Sequence, residues 1–250
     1  MENSDYIYGI RAVIEAVEAG REIDKVFVAN TLQGDLAREL MSVLKANKIL
    51  LQKVPIEKIN RLTRRNHQGV VAMLSAVSYA RLDTVVPSLF EEGRVPLIVL
   101  LDGITDVRNF GAIARTCECA GVDAIVIPRR GGVSVGADAM KTSAGALSYL
   151  PVCREGSTVN SVKYLLDCGF RIIAATEKGS VDYTEADYTQ PTAIVMGAED
   201  VGISPDVLRL ATTRIAIPQL GHVSSLNVSV AAGVIIYRAV SQRMAAGRIR

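Results

Sequence analysis

Polar side chains that could act on a charged substrate follow three apolar runs of the sequence. Asn109 and Arg115 come after "PLIVLLDGITDV". Glu199 follows "AIVMG", and Ser225 and Asn227 follow "RIAIP". Amide, carboxylate and guanidinium groups can orient a hydroxyl and stabilise negative charge on an oxygen or a phosphate. Ligands of open α/β sheets bind beyond the carboxyl ends of the strands, so these side chains predict a site at one edge of a sheet.

Motifs of several common enzyme classes are missing. "DGITDVRNFG" lacks the G-x-G-x-x-G spacing of a dinucleotide-binding turn, and no G-x-x-x-x-G-K-[ST] phosphate loop is present. "GHVSSLN" does not fit the G-x-S-x-G nucleophile elbow. These absences argue against hydride transfer, P-loop nucleotide hydrolysis and serine catalysis. No metal site is predicted either, because the two histidines, His67 and His222, lie far in sequence from the four cysteines, which are Cys117, Cys119, Cys153 and Cys168.

Each candidate side chain also has a purely structural interpretation. Ser225 or Asn227 could cap the last helix, and Asn109 could cap the helix that contains "FGAIART". The apolar neighbours of Arg115 predict a half-buried helix face, where a guanidinium needs a carboxylate or phosphate partner. Glu199 is the candidate carboxylate, so the two residues could form a structural ion pair.

The spacing of apolar residues predicts an α/β protein with two domains. Residues 1–78 alternate helical and strand patterns in a small α/β domain, and residues 79–94 contain two prolines and an acidic pair that indicate a linker. In residues 95–250 the strands "LIVLLDG", "AIVIP", "RIIAAT", "AIVMG" and "RIAIP" alternate with helices near 109–121, 138–147, 158–168, 204–211 and 225–246. Strands that are apolar throughout are buried on both faces, which predicts a parallel sheet with helices on each side.

Charge is distributed unevenly although the net charge is only +2. Residues 45–65 contain seven basic residues and one acid, Glu57, a local balance of 7 − 1 = +6. Such a run is either a solvated helix face or a surface for phosphate groups. Unpaired cysteines, an acidic N-terminus and apolar runs of about ten residues predict a cytoplasmic protein without a signal peptide or a membrane span.

Three segments together resemble a known family. "NFGAIART", "IVMGAEDVGIS" and "IPQLGHVSSLNVSVAAGVIIYRA" are similar, in order and spacing, to the three motifs of the SpoU/TrmH branch of the SPOUT RNA methyltransferases. This similarity covers residues 95–250. "YGIRAVIEAV" and "RRNHQGVVA" further resemble the N-terminal domain of the bacterial enzymes that methylate a guanosine of 23S ribosomal RNA. One departure is Asp200, where the family commonly has glycine.

The resemblance implies a fold and a set of site residues. It implies a C-terminal parallel-sheet SPOUT domain with a deep trefoil knot, a small N-terminal α/β RNA-binding domain, S-adenosyl-L-methionine as cofactor, a homodimer formed through the knotted domain, and no metal. Cofactor contacts would fall on Thr176, Met196, Gly197, Ile217, Leu220 and Leu226. The catalytic set would be Asn109, Arg115, Glu199, Ser225 and Asn227.

The implied reaction is transfer of a methyl group to a ribose 2′-oxygen of RNA, with a guanosine of 23S ribosomal RNA as the leading substrate. A transfer-RNA ribose methyltransferase and a catalytically silent RNA-binding or ribosome-assembly protein are the alternatives. A guanidinium does not lose its proton in proteins, so Arg115 is expected to hold a phosphate and stabilise the developing alkoxide and not to act as a base. Within this interpretation the basic run becomes an RNA-docking surface, with contacts from Lys58, Arg61, Arg64 and Arg65.

Overall fold

A computed structural model describes residues 6–248. The chain folds as two compact units. The smaller one contains the described part of Met1–Ser78 together with Ser134–Ala137, and the larger one contains Tyr79–Val133 and the described residues from Asp138 onward. In residues 6–248 no helix is both long and apolar enough to cross a membrane.

The smaller unit is built on a mixed four-stranded sheet with the order β1-β4-β2-β3. β4 pairs antiparallel with both β1 and β2, whereas β2 and β3 are parallel. The strands are β1 (Tyr6–Tyr8), β2 (Ile23–Ala29), β3 (Leu51–Val54) and β4 (Val70–Leu74), and the helices are α1 (Ile10–Glu18), α2 (Asp35–Ala46) and α3 (Ile56–Leu62).

Two apolar clusters cover the two faces of this sheet unequally. On one face, the long helices α1 and α2 bury residues such as Val13, Leu40 and Val26. On the other face, the seven-residue α3 packs, with Ile59 beside Phe27 and the neighbouring strand residues. Tyr6, Tyr8 and Met73, which belong to this second face, are only half-buried.

The larger unit is a seven-stranded sheet in which every pairing is parallel, with the order β7-β6-β5-β10-β8-β11-β9. Its strands are β5 (Leu97–Asp102), β6 (Ala124–Pro128), β7 (Val152–Glu155), β8 (Arg171–Ala175), β9 (Val181–Asp182), β10 (Thr192–Gly197) and β11 (Thr213–Ala216). Its helices are α4 (Leu82–Glu91), α5 (Val107–Cys119), α6 (Ala137–Thr142), α7 (Thr158–Asp167), α8 (Pro205–Leu210) and α9 (Val228–Ala245), with a 3-10 turn at Ala146–Ser148. The α/β class and the parallel sheet predicted from the sequence are confirmed.

The two central strands define a topological switch point. The chain runs outward from β5 to β6 and β7, and then returns to build the other half of the sheet, in which β10 pairs with β5. Both strands are almost completely buried because helices cover both faces of the sheet. A crevice forms at such a switch point, beyond the carboxyl ends of the two strands.

The segment expected to be a linker is helical instead. Residues 79–94 contain α4, whose Leu82 and Val86 are 2% and 1% exposed and pack in the core of the larger unit beside Ile98. Leu82, Val85, Val86 and Leu89 have helical spacing, and this signal outweighs Pro87, which the helix accommodates.

Three short strands were not predicted from the sequence. They are β1, β7 and β9, of three, four and two residues. Segments this short show no clear alternation of apolar and polar residues, and only pairing with a neighbour defines them. The predicted helix at 138–147 is also split into α6 and the 3-10 turn, with Ala144 and Gly145 at positive φ between them.

Candidate active site at the sheet switch point

The switch point brings together three side chains from distant parts of the chain. Asn109 lies in the first turn of α5, after β5, and Glu199 follows β10. Asn227 precedes α9 and joins the other two, because its Nδ2 donates to Asn109 Oδ1 at 3.0 Å and to Glu199 Oε1 at 2.5 Å. The backbone N–H of Val228 also donates to Glu199 Oε1, at 3.2 Å. We call Asn109, Glu199 and Asn227 the amide-carboxylate cluster.

Helix caps fix the position of this cluster. Asn227 caps α9, since its Oδ1 accepts from the Ser229 N–H at 3.0 Å while its Nδ2 faces the cluster. The predicted capping role of Asn227 is thus confirmed, and its predicted role in catalysis stays a prediction. Asn109 does not cap α5. Asp106 does, and its carboxylate accepts from the N–H groups of Arg108 and Asn109 at 2.8 and 2.9 Å.

Asp106 was missed as a supporting residue, although the sequence contained a signal for it. An aspartate three residues before Asn109 and ahead of an apolar helical pattern is typical of an N-cap. Hydrogen bonds from the backbone of Asn109 and Arg108 lower the pKa of the Asp106 carboxyl. The carboxylate is therefore charged at neutral pH, and it orients the helix turn that presents Asn109.

The turn that holds Glu199 is tightly packed. Gly202 N–H donates to Ala198 O at 2.9 Å and closes the turn, with Gly202 at a φ of +69°. A Cβ at Gly197 would lie 2.3 Å from the Gly202 carbonyl carbon, so only glycine fits there. Asp200 has no positive φ, and its Oδ1 accepts from the Val201 N–H at 3.0 Å. The turn therefore accommodates Asp200 without strain in the left-handed region.

Arg115 does not lie on a half-buried helix face, as the sequence predicted. Its side chain is exposed and not half-buried, and within residues 6–248 it forms no hydrogen bond or ion pair, with Glu199 or with any other residue. It lies six residues beyond Asn109 on α5, which is about 9 Å along the helix axis and about 120° around it. The expected structural pair between Arg115 and Glu199 is therefore absent, and Arg115 is available to a ligand or to another chain.

Ser225 lies in an exposed loop before α9. It does not cap the helix, because Asn227 occupies that position. Within the described chain its hydroxyl has no hydrogen-bond partner. Ser225 is therefore close to Asn227 in sequence but is not hydrogen-bonded to the amide-carboxylate cluster.

The predicted cofactor residues lie around the ends of three neighbouring strands. Thr176 follows β8, Met196 and Gly197 end β10, and Ile217 follows β11. Leu220 and Leu226 lie in the loop between β11 and α9 and are 98% and 39% exposed. Exposed leucines beside strand-end backbone groups match the needs of a ligand with an apolar or aromatic portion and hydrogen-bonding edges.

Two segments cross closely at this edge of the sheet. β11 lies between β8 and β9, so the short connection from β8 to β9 has to pass over it. A Cβ at Gly179 in this connection would lie 2.2 Å from the Ile215 carbonyl carbon, and the Thr176 N–H donates to Ile215 O at 2.9 Å. Only a glycine permits this approach of two backbones.

A second close approach positions α5. Gly111 has an ordinary helical φ, but a Cβ there would lie 2.1 Å from Thr142 Oγ1 and 2.9 Å from the Thr142 carbonyl carbon. Thr142 Oγ1 in turn donates to backbone oxygens that include Val107 O, at 3.2 Å. The glycine of "NFGAIART" therefore allows α5 to pack against the end of α6.

Two of the four cysteines are buried, and the potential metal ligands of the described residues are not clustered. Within residues 6–248 no group of three or more histidine, cysteine, aspartate or glutamate side chains could hold a metal ion. Burial raises the pKa of Cys117 above its ordinary range and that of Cys153 to about 12, so neither thiol is a nucleophile at neutral pH.

In the smaller unit, the four predicted RNA-binding side chains, Lys58, Arg61, Arg64 and Arg65, are all exposed on α3 and in the loop after it. His67 stabilises this loop. Its Nε2 lies 2.8 Å from Asn60 Oδ1, and its Nδ1 accepts from the Gly69 N–H at 2.9 Å. His67 therefore has a turn-stabilising role.

Comparison with known proteins shows the family of this chain. The sequence model described as the SpoU rRNA Methylase family matches residues 96–237. A second model, described as RNA 2′-O ribose methyltransferase substrate binding, matches residues 6–80. The chain belongs to the SpoU rRNA methylase family. The amide-carboxylate cluster lies inside the methylase match, and the basic side chains lie inside the substrate-binding match.

Individual members of the SpoU family are similar over most of the chain. A Staphylococcus saprophyticus protein named for the TrmH family of tRNA/rRNA methyltransferases is 36% identical over 237 residues, which is 95% of each chain. The AdoMet-bound rRNA methyltransferase from Sinorhizobium meliloti is 26% identical, with a TM-score of 0.60, over 94% of this chain and 86% of its own. The TrmH/SpoU tRNA modifying enzyme of A. aeolicus is 33% identical, with a TM-score of 0.57, over 67% of this chain and 86% of its own.

Proposed function

We propose that this protein transfers a methyl group from S-adenosyl-L-methionine to a ribose 2′-oxygen of RNA, and that its substrate is a guanosine of 23S ribosomal RNA. The observation that supports this most directly is the hydrogen-bonded amide-carboxylate cluster at the switch point, beside the strand ends assigned to the cofactor. The cluster offers hydrogen-bonding groups for a ribose, and the neighbouring loop between β11 and α9 offers apolar side chains for the cofactor. Within the described residues the cluster contains no nucleophile and no set of metal ligands.

When bound, S-adenosyl-L-methionine supplies an electrophilic methyl carbon on a sulfonium sulfur. Thr176, Gly197 and Ile217 would hold it through backbone groups, with Met196, Leu220 and Leu226 as apolar contacts. The almost complete exposure of Leu220 supports this assignment, because an apolar ligand portion would cover that side chain.

The ribose side of the reaction needs a group that stabilises negative charge. For the transfer, the ribose 2′-hydroxyl would have to give its proton to solvent, and the oxygen would carry the negative charge that residues of this chain would stabilise. Asn109 and Glu199 would position the ribose, and Ser225 and Asn227 would shape the loop that faces the methyl group. Arg115 would hold the adjacent phosphate and stabilise the developing alkoxide, since its guanidinium is always charged and has no other described partner.

A homodimer would bring Arg115 to the cluster. Within one chain Arg115 lies on a different face of α5 from Asn109. On α9, Val230, Tyr237 and Met244 recur every seventh residue and are 51%, 51% and 59% exposed, an apolar stripe of the kind that pairs helices between subunits. We therefore propose that Arg115 of the partner subunit completes each site.

The trefoil knot is also part of the proposal. The close crossing of two backbone segments at Gly179 supports it.

The presence of two domains favours ribosomal RNA over transfer RNA. The rRNA methyltransferase from S. meliloti aligns with 94% of this chain, whereas the tRNA modifying enzyme of A. aeolicus aligns with 67%. The second value is close to the share of this chain that belongs to the larger unit, which contains Tyr79–Val133 and the residues from Asp138 onward. Ribosomal RNA modification would take place in the cytoplasm.

Mass-spectrometric mapping of ribose methylation in 23S ribosomal RNA tests this proposal. RNA from a strain that lacks the gene is expected to be missing one 2′-O-methylguanosine, and purified protein with labelled S-adenosyl-L-methionine should restore it. A missing transfer-RNA modification would replace the substrate proposal. A purified protein that shows no calorimetric binding of S-adenosyl-L-methionine would contradict the enzymatic proposal and favour a silent RNA-binding role.

A further inference from the structure

The smaller unit exposes part of one face of its sheet. Strand pairing places Tyr6, Met73 and Lys25 in one row across β1, β4 and β2, and Tyr8, Val71 and Phe27 in the next row. Directly paired residues point to the same side of a sheet, so all six side chains share one face.

Helix α3 covers only one side of this face. Ile59 is completely buried against Phe27, Val71 and their neighbours. The rest of the face remains half-buried and lies on strands β1, β4 and β2. It consists of Tyr6, Tyr8, Lys25 and Met73, and we call it the tyrosine face.

Cationic side chains lie over two aromatic rings of this sheet, those of the half-buried Tyr8 and the buried Phe27. The Arg65 guanidinium lies 5.4 Å from the centre of the Tyr8 ring and also donates to the Tyr8 hydroxyl. The ammonium groups of Lys25 and Lys58 lie 5.4 and 5.2 Å from the centre of the Phe27 ring. These aromatic rings and cations lie beside the basic run of residues 45–65, which has seven basic residues and one acid. Such a surface complements a ligand that combines flat rings with negative charge.

We propose that the tyrosine face binds unpaired nucleotides of the RNA substrate, with bases stacked on Tyr6 and Tyr8 and phosphates held by Lys25, Lys58 and Arg65. Bases inside a duplex are hidden in their own stack and cannot use such rings, whereas splayed bases of loops and single strands stack on aromatic side chains of exposed sheets. This inference rests on the proposed function, because it takes RNA as the substrate, and it adds that the docking segment is single-stranded.

Fluorescence anisotropy with the full chain tests the inference. The two probes are a labelled single-stranded RNA of about ten nucleotides and the same strand annealed to its complement, at one salt concentration. The wild type should prefer the single strand by about tenfold. Charge alone would produce the opposite preference, because the duplex has the higher phosphate density.

Substitutions separate stacking from charge and from folding. Tyr8→Leu should weaken single-strand binding by about tenfold and leave duplex binding unchanged, whereas Tyr8→Phe should keep the preference because the ring remains. Tyr6→Leu is a second test at the neighbouring row. Tyr149→Leu removes an exposed tyrosine of the larger unit and serves as the matched control. Circular dichroism melting curves verify that each variant is folded.

Two results would overturn the inference. One is equal wild-type affinity for both probes, and the other is an equal loss of affinity for both probes in the folded Tyr8→Leu protein. Methyl transfer to ribosomal RNA is measured separately, so the outcomes remain distinguishable. RNA binding without a single-strand preference contradicts only the stacking surface, whereas absence of methyl transfer with the preference intact contradicts only the proposed enzymatic function.

Discussion

Asn227 Nδ2 lies 2.5 Å from Glu199 Oε1, and this hydrogen bond joins the start of α9 to the turn after β10. The same Glu199 oxygen accepts from the Val228 N–H, and the same Asn227 amide donates to Asn109. These hydrogen bonds hold together the start of α5, the turn after β10 and the start of α9 at the switch point of the sheet, although the bonded residues are up to 118 positions apart in sequence. The relationship gives Glu199 a structural role in addition to its proposed contact with the ribose.

Glu199→Gln should reduce the rate of methyl transfer by about a hundredfold, because a misplaced ribose or Asn227 side chain loses the productive geometry. Binding of S-adenosyl-L-methionine, measured by calorimetry, should remain unchanged. Asp200→Asn is the control, since this neighbouring exposed carboxylate accepts a hydrogen bond from Val201 in its own turn, and its rate should stay within about twofold of the wild type. A Glu199→Gln protein with the wild-type rate would contradict the role of the cluster.

Heterodimers should reveal whether Arg115 acts across the subunit interface. Co-expression of differently tagged Arg115→Ala and Glu199→Ala chains, with purification through both tags, yields dimers that contain one of each. If Arg115 of the partner subunit completes each site, such a dimer has one intact site and about half the wild-type rate. If Arg115 acts within its own chain, neither site is intact and the heterodimer should be as inactive as the two parent homodimers.

Arg115→Lys separates the two chemical roles of this residue. Lysine retains a positive charge for a phosphate but loses the forked geometry, so the single-turnover rate should fall while its pH dependence keeps the wild-type shape. Arg115→Ala should be slower still. A basic-limb ionisation that disappears in Arg115→Lys, with an otherwise retained rate, would instead support arginine as the general base.

Charge reversal at Arg64 and Arg65 should weaken RNA binding and flatten its salt dependence. Loss of two phosphate contacts on single-stranded RNA lowers the slope of log affinity against log salt by about 1.4, which is about 0.7 for each contact. Arg21→Glu with Arg38→Glu is a control of equal charge at exposed positions outside the basic run. An unchanged slope in the Arg64 and Arg65 variant would mean that the run is only a solvated surface.

Substitution by alanine at two helix glycines should have different effects on the free energy of unfolding. Gly111→Ala places a Cβ against Thr142, and overpacking of this kind costs about 1–3 kcal/mol in the free energy of unfolding. Gly233→Ala in α9 meets only an ordinary contact, with Thr116 Cγ2 at 3.9 Å, and should be neutral or stabilising by up to about 1 kcal/mol. Urea denaturation measures both values, and equal effects would contradict the packing explanation for Gly111.

Asp106 should make the stability of the chain depend on acidic pH. Its folded-state pKa lies below the ordinary value of 3.8, so its charge stabilises the fold above that pH. This stabilisation is lost as the pH falls through the lowered pKa. Asp106→Asn can still cap α5 but has no charge. The difference in urea midpoint between wild type and this variant should be full at neutral pH and shrink as the pH falls below 3.8 and through the lowered pKa.

Much of the protein follows from the sequence alone because the signals are local. Continuous apolar runs such as "LIVLL" require burial on both faces, which determines a parallel sheet with helices around it. Turn and cap residues determine where helices begin, and the three motifs together identify the family. The sequence also predicted that Asn109, Glu199 and Asn227 lie at one edge of the sheet, since each one follows a predicted strand, and the structure brings the three together.

Only the tertiary structure decided how those residues relate to one another. The Asn227 bond to Glu199 and the outward direction of Arg115 depend on packing between segments about 30 to 120 residues apart, which no local pattern encodes. The same holds for the close approach of Gly111 to Thr142 and for the partly covered face around Tyr8. Each of these depends on which backbone lies beside which, and strand pairing and helix packing determine that only when the whole chain folds.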